Sequence, residues 1–422
     1  MDELEQMEQV EVKELNKTRN GYWSGLLSGL LLAMLLFGTF TIGKQVFRIF
    51  EAKKITQEAT VENAELLNDY TVAKARVIED TIKQYYLKET DRSKLENGIY
   101  TGMVNALEDP YSVYYSAEEL EEIQMSTQGI YYGIGAYISK AATEEFCTIS
   151  GVIENTPAEE ADLRAGDIIY EIDGVLTQGM DTSEVVSLIK GEEGTQVVLT
   201  LVREGESDYL KIPVERRQIE SPSVSFEMME NDIGYIQITE FNEATESQFA
   251  QAMEEGKTSK MAGLILDLRS NPGGNLSTVC EICRSILPKG MIVYTEDKYG
   301  NREEYTGDGG SELGIPTVVL VNGYSASASE IMAGAMKDYG VATIMGTTTF
   351  GKGIVQRIIS LTDGSAVKLT VSKYYTPNGN DIHEKGIEPD VVVEFDADAY
   401  YNEGIDNQLQ EAVKYLAEKV EE

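Results

Sequence analysis

The sequence predicts a multidomain α/β protein: one membrane-spanning helix, a helical region, a small strand-rich module and a larger α/β core. Three observations carry that prediction. The stretch from Asn20 to Gly43 holds no charged residue. Residues 128–205 alternate short apolar strands with glycine turns around one short helix. Residues 206–395 contain two units in which an apolar strand runs into a tight turn and then a helix. Buried parallel strands read as continuous apolar runs followed by helices, so the third observation marks a layered α/β core. A chain of 422 residues has room for two or three such domains.

Composition narrows the function before any motif is read. The formal charge is −37, which argues against a nucleic-acid-binding surface, since phosphates need clustered Lys and Arg. The single histidine, His383, excludes metal sites built on two histidines from one chain. It leaves a Ser-His-Asp triad open only if His383 is the base. Three cysteines are too few for a disulfide scaffold. Cys280-x-x-Cys283 has redox spacing but lacks the strand-helix context of a redox motif, so core packing is the expectation for both.

Taken in order, residues 1–20 read as a cytoplasmic tail and 21–43 as a transmembrane signal anchor. The Leu-rich stretch amounts to about 36 Å of helix against a hydrocarbon layer of ~30 Å. No small-residue exit of the cleavable type follows it. Lys13, Lys17 and Arg19 precede the span and Lys44, Arg48, Lys53 and Lys54 follow it, a balance that does not set orientation. Residues 44–127 form a charged helical region with Val77, Ile78, Ile82 and Tyr85 at helical spacing and a turn at Asp109-Pro110. A lever, a dimer arm and a spacer all stay open for it.

Residues 128–205 contain YYGIGAYI, then CTISGVI, TPAEEADLRAGDIIYEIDG, a helix around SEVVSLIKG, and TQVVLTLVR. The G-I-G loop, the P-A-x-x-A-x-L-x-x-G-D-x-I block and the L-I-x-G helix end resemble a PDZ domain. Gly133 and Gly135 allow positive φ, so successive N–H groups can converge on a carboxylate. A peptide then adds as an extra strand beside the helix. Tyr132, Ile134 and Ala136 would flank that groove. Lys190, at the helix end, is either a carboxylate sensor or a solvated lysine.

In the core, GLILDLRSNPGG and TVVLVNGYSASASEIMAGAMKDYG are the two strand-turn-helix units, the first helix starting near Ser277. The second turn places Ser325, Ser327 and Ser329 at a helix mouth, where Ser327-x-x-Glu330 has capping-box spacing and the helix dipole is positive. Ala326 and Ala328 leave room for a substrate. Caps alone would explain the serines; the segment TFGKGIVQ changes that. Gly346-x-x-x-x-Gly351-Lys352 mimics a phosphate loop, but Gly353 stands where Ser or Thr must hold Mg²⁺, and a β-type run follows. Lysine as base fits better. Burial between Phe350 and Ile354 disfavours the ammonium; a shift of roughly 3 pKa units costs about 4 kcal/mol. Gln356 shares strand parity with Lys352 and can aim the amine without adding charge.

Together, VNGYSASASEIMAGAMKDYG, TFGKGIVQ and LDLRSNPGG resemble the C-terminal processing peptidases, PDZ-containing serine proteases with a Ser-Lys dyad and a crotonase-like core. The resemblance covers roughly residues 70 to 420. It implies a nucleophile at Ser327, a general base at Lys352 and a supporting amide at Gln356. It implies oxyanion donors at the backbone N–H groups of Gly273 and Ala328. Asp338 matches an acidic position of structural character, and nothing in the family needs His383, expected as a surface or loop residue. The domains are then 128–205 PDZ, 206–395 protease core and 396–422 a C-terminal amphipathic helix. The reading is a membrane-anchored, extracytoplasmic serine endopeptidase of the bacterial cell membrane. It recognises the C-terminal tails of protein substrates, spans the membrane once, forms a homodimer if the arm serves as one, and needs no cofactor or metal. An inactive PDZ scaffold and a lipid- or acyl-CoA-binding relative are the rivals.

Overall fold

The computed structural model describes residues 65–309 and 313–420. The chain forms two compact bodies, one ending at Glu96 and one starting at Asn97. In the first, α1 (Asp69–Tyr85) opens where the Asn68 side chain accepts the Thr71 N–H. Its apolar residues keep helical spacing, yet none of the helix is buried. Then comes α2 (Arg92–Asn105).

Within the second body, the Asp109-Pro110 turn is closed by the Tyr111 N–H on Asp109 Oδ1 at 3.0 Å. After β1 (Val113–Tyr115) comes α3 (Ala117–Gln128), started by a Ser116/Glu119 capping box and stopped by Gly129 at φ 73°. The PDZ-like module follows. It holds β2 (Ile130–Gly133), β3 (Ala136–Ser139), β4 (Thr148–Val152), the short α4 (Pro157–Glu160), β5 (Ile168–Ile172), β6 (Val175–Leu176), α5 (Thr182–Ile189), β7 (Gln196–Val202), β8 (Leu210–Glu215) and β9 (Arg217–Glu220). Its sheet runs β3-β4-β5-β7-β8, with β6 on β5, while β2 pairs β9. Ile149, Ile169, Val185 and Leu199 form a core of its own.

The larger core starts with β10 (Val224–Met228) and β11 (Ile233–Ile238), followed by α6 (Thr245–Thr258), β12 (Gly263–Asp267), α7 (Leu276–Ile286), β13 (Gly290–Asp297), β14 (Arg302–Gly307) and β15 (Thr317–Val321). Then come α8 (Ala328–Tyr339), β16 (Thr343–Gly346), β17 (Ile354–Ser360), β18 (Ala366–Tyr375), β19 (Val391–Val392), α9 (Ala397–Glu403) and α10 (Asn407–Val420). One sheet runs β10-β11-β12-β15-β16-β19, parallel apart from β10. β12 and β15 are buried along their whole length, as their unbroken apolar runs predict. Helices α7 and α8 cover one face, and α10 lays Ala412, Val413 and Leu416 on the other. The second sheet runs β1-β18-β13-β14, with β17 on β18. The α7 helix carries Cys280 and Cys283 into the core; burial pushes the Cys280 thiol up to about 12 and the Cys283 thiol well above its usual range.

One part of the expected fold class is corrected. Among the described residues no helix is long and apolar enough to cross a membrane, and segment 21–43, where the anchor was expected, lies outside them. The described helices carry charge; α1 alone holds Asp69, Lys74, Arg76 and Glu79. Among the described residues the architecture is an α/β core with a PDZ-like module and flanking helices, none of them a transmembrane helix.

Candidate active site

Strand β15 delivers the serine-rich turn to the edge of the core, and the turn sorts its three serines. The Ser325 hydroxyl donates to Leu268 O at 2.7 Å and accepts the Asn322 N–H at 2.9 Å. The Ser329 hydroxyl donates to Asn271 O at 3.0 Å. Both side chains are fully buried and serve as pins. Ser327 alone of the three stays partly exposed. Its φ of 54° and ψ of −113° are unusual for a residue with a Cβ. Such a conformation costs about 1–3 kcal/mol and must be held by its surroundings.

What holds it is Glu330, a buried carboxylate one helical turn on. Its Oε2 accepts the N–H of Ser327 at 2.8 Å and of Lys352 at 2.9 Å. Its Oε1 accepts the Gly351 N–H at 2.7 Å and the Thr349 hydroxyl at 2.6 Å. The capping-box spacing marked Glu330 as a partner of Ser327. Its grip on the lysine loop, 21 and 22 residues away, had no sequence signal.

Lys352 sits in the loop between β16 and β17, half-buried, with its amine 4.7 Å from the centre of the Tyr111 ring. Desolvation, followed by the nearby Lys368 charge, holds the amine below the ordinary lysine range, against the opposing pull of Glu330 and Asp109. No hydrogen bond joins the amine to Ser327 Oγ in this conformation. Gln356 does not reach Lys352 either; its amide donates to Thr370 Oγ1 at 3.3 Å. The parity argument lapses for two reasons. Lys352 precedes β17, and the β17–β18 register shifts between Val355 and Gln356.

Gly273, one of the two expected oxyanion donors, lies against the turn that carries Ser327 and Ala328. A Cβ on Gly273 would lie 2.7 Å from Ser327 Cβ and 2.8 Å from Ala328 N. Ala328 is the first residue of α8, where a helix leaves N–H groups without internal acceptors. The Gly273 N–H here donates to Asn271 Oδ1 at 2.8 Å. Asp338 accepts the Asn378 N–H at 2.8 Å, a structural bond. His383 lies half-buried in a turn, its backbone packed on Gly353.

The peptide groove is a cavity of about 1330 Å³ beside β3, the edge strand of the module's sheet, and α5. Tyr132 and Lys190 line it, together with Tyr131, Ile138 and Val186. The Lys190 ammonium lies 5.6 Å from the Tyr131 ring centre. The other expected residues support the groove without lining it. Gly133 ends β2, and Ile134 is buried in the module's core. Gly135 adopts φ 84° against Thr156, and Ala136 opens β3. Ile138 and Val186 went unpredicted because the groove exists only once strand and helix lie side by side.

Known proteins match this chain over most of its length. Residues 232–393 match Peptidase family S41, 148–203 match the PDZ domain, and 33–119 match the Activating protease CtpB N-terminal domain. The carboxy-terminal processing protease CtpA of Bacillus subtilis (strain 168) is 38% identical over 77% of this chain and 71% of its own. The carboxy-terminal-processing protease of Bartonella bacilliformis is 39% identical over 75% of this chain and 74% of its own. A putative S41 protease from Bacteroides fragilis shares the fold, with a TM-score of 0.50 at 19% identity, over 81% of this chain and 97% of that one. Domain order, core and level of identity agree, and the chain belongs to the carboxy-terminal processing proteases, PDZ-containing serine peptidases of family S41.

Proposed function

We propose that this endopeptidase works through a Ser327–Lys352 dyad, with the PDZ groove capturing the C-terminal tails of its protein substrates. The observation that supports it most is the shared anchoring of the two residues: one buried carboxylate, Glu330, takes the main-chain N–H of both. The neutral amine takes the Ser327 Oγ proton as Oγ attacks the scissile carbonyl. The oxyanion is met by the N–H of Ala328 and of Gly273, the latter exchanging Asn271 for substrate. The lysine ammonium returns its proton to the departing amine, leaving an acyl-serine. Water, deprotonated by the amine, then hydrolyses the ester. Gln356 aims the amine in this scheme once it leaves Thr370.

The edge strand β3 supports the tail-capture reading, since its unpaired side faces the cavity. We place the work in the cell envelope, on envelope proteins, as the family resemblance implies. Exposed Val77, Ile78 and Tyr85 on α1 support a homodimer; sedimentation of the full chain tests it. The decisive experiment compares degradation of an unfolded, tail-bearing protein by wild type, Ser327→Ala and Lys352→Ala. Both variants are expected to lose about 10³-fold or more in kcat. Equal activity in all three overturns the dyad. Mass spectrometry of proteins accumulating in a Ser327→Ala strain identifies the substrates.

A further inference from the structure

The main-chain groups of Ser327 and Lys352 end on the same two side chains. Both N–H groups end on Glu330. Both carbonyl oxygens accept from the Tyr374 hydroxyl, at 3.0 Å for Ser327 O, which also takes the Glu330 and Ile331 N–H groups, and 2.5 Å for Lys352 O. Tyr374 belongs to β18, is 1% exposed, and also gives its backbone N–H to Gly353 O at 3.1 Å. A buried phenol needs one acceptor to be satisfied. This one stands between two, and they belong to the two residues whose separation the chemistry depends on.

We propose that Tyr374 is a positioning residue of the dyad: its hydroxyl, shared between the carbonyl oxygens of Ser327 and Lys352, sets the approach of the lysine amine to the serine hydroxyl. The inference rests on the dyad reading. A phenol has one proton, so moving either carbonyl changes the hold on the other. Through its shared proton the hydroxyl couples the strained Ser327 turn to the lysine loop, and β18 gives that coupling a rigid base. Burial raises the Tyr374 phenol well above its usual range, so it stays a donor across the working pH.

The test uses the full chain with Tyr374→Phe, which removes one oxygen, and Tyr374→4-aminophenylalanine, which restores an N–H donor in the same place. The Phe variant is expected to lose about 10- to 100-fold in kcat while KM stays within about twofold. The acid limb of its kcat/KM profile moves to higher pH, because a slackened loop lets water reach the amine. The groups facing that amine are Tyr111 and Asp109 before β1, Glu330 on α8 and Lys368 on β18; Tyr374→Phe leaves all of them in place. The 4-aminophenylalanine variant recovers most of kcat and the wild-type limb. A folded Phe variant with wild-type kcat and profile overturns the proposal, and so does an amino variant as impaired as Phe. If the Phe variant does not melt cooperatively, the amino variant decides: near-wild-type kcat supports the role, and a loss of more than about tenfold in folded protein overturns it. Lys352→Ala is run in parallel. Full activity there sinks the dyad itself, whereas an inactive Lys352→Ala beside a wild-type-like Tyr374→Phe sinks only the role of Tyr374.

Discussion

A lysine that serves as a base must be neutral for part of its time, and the fold arranges this at a cost in stability. Lys352 has its amine depressed by burial and by the Lys368 charge. The unfolded chain holds that proton with an ordinary lysine pKa of about 10.4. Because the folded value is lower, the stability contributed by this group is full above the unfolded value and is lost as pH falls through the folded one. At neutral pH the native state therefore carries a disfavoured ammonium. Lys352→Met is expected to be inactive yet to melt about 1–3 °C higher at pH 7, with the gain shrinking toward pH 10. Calorimetry across that range checks it; an unchanged or lower Tm at pH 7 contradicts it. Ser327 follows the same logic, in that a strained residue is retained where the reaction needs it.

At the scale of elements, the site is the meeting of two turns with a helix N-terminus. The turn after β12 is pressed against the start of α8 so closely that only glycine fits at 273. Its φ is 100°, and a Cβ would stand 2.7 Å from both Ala326 O and Ser327 Cβ. Gly273→Ala is expected to lower stability by about 1–3 kcal/mol and kcat by at least about 100-fold, since the turn must lift away from the nucleophile. Urea unfolding and steady-state kinetics read the two effects separately. A variant with intact kcat would remove Gly273 from the oxyanion site. The turn after β16 closes the other side through Glu330.

For the whole molecule, the proposed function divides recognition by the PDZ module from chemistry in the core. Each has its own apolar cluster, and the cavity lined by Ile138 and Val186 also takes lining from outside the module, Met125 on α3 and Ser221 and Glu240 beyond β9. Val186→Asp puts a carboxylate into that groove opposite an incoming tail carboxylate. It is expected to raise KM about tenfold for tail-bearing substrates and to leave short peptides without the tail unaffected. Competition assays with the two substrate types check this; equal effects on both would separate the groove from tail recognition. On the opposite side of the core, Arg269 is held by Asp267 and Asp406, which fastens the start of α10 over the sheet.

The sequence by itself determined the layers and the module, and it brought the SASAS and FGKG segments forward as candidates for nucleophile and base. Short continuous apolar runs bounded by turn residues read as buried strands, and glycine, proline and small residues mark the turns between them. It left SASAS ambiguous between cap and nucleophile on residue grounds alone. Only tertiary structure sorted the three serines, by burying Ser325 and Ser329 on Leu268 and Asn271 and leaving Ser327 partly exposed. Tertiary structure also decided what Gln356 touches, because a register shift in a sheet is invisible to parity counting. Glu330 and Tyr374 join segments 19 to 47 residues apart. Local pattern reports periodicity and turn chemistry over a few residues. Hydrogen bonds across such distances come into being only when the sheets are assembled.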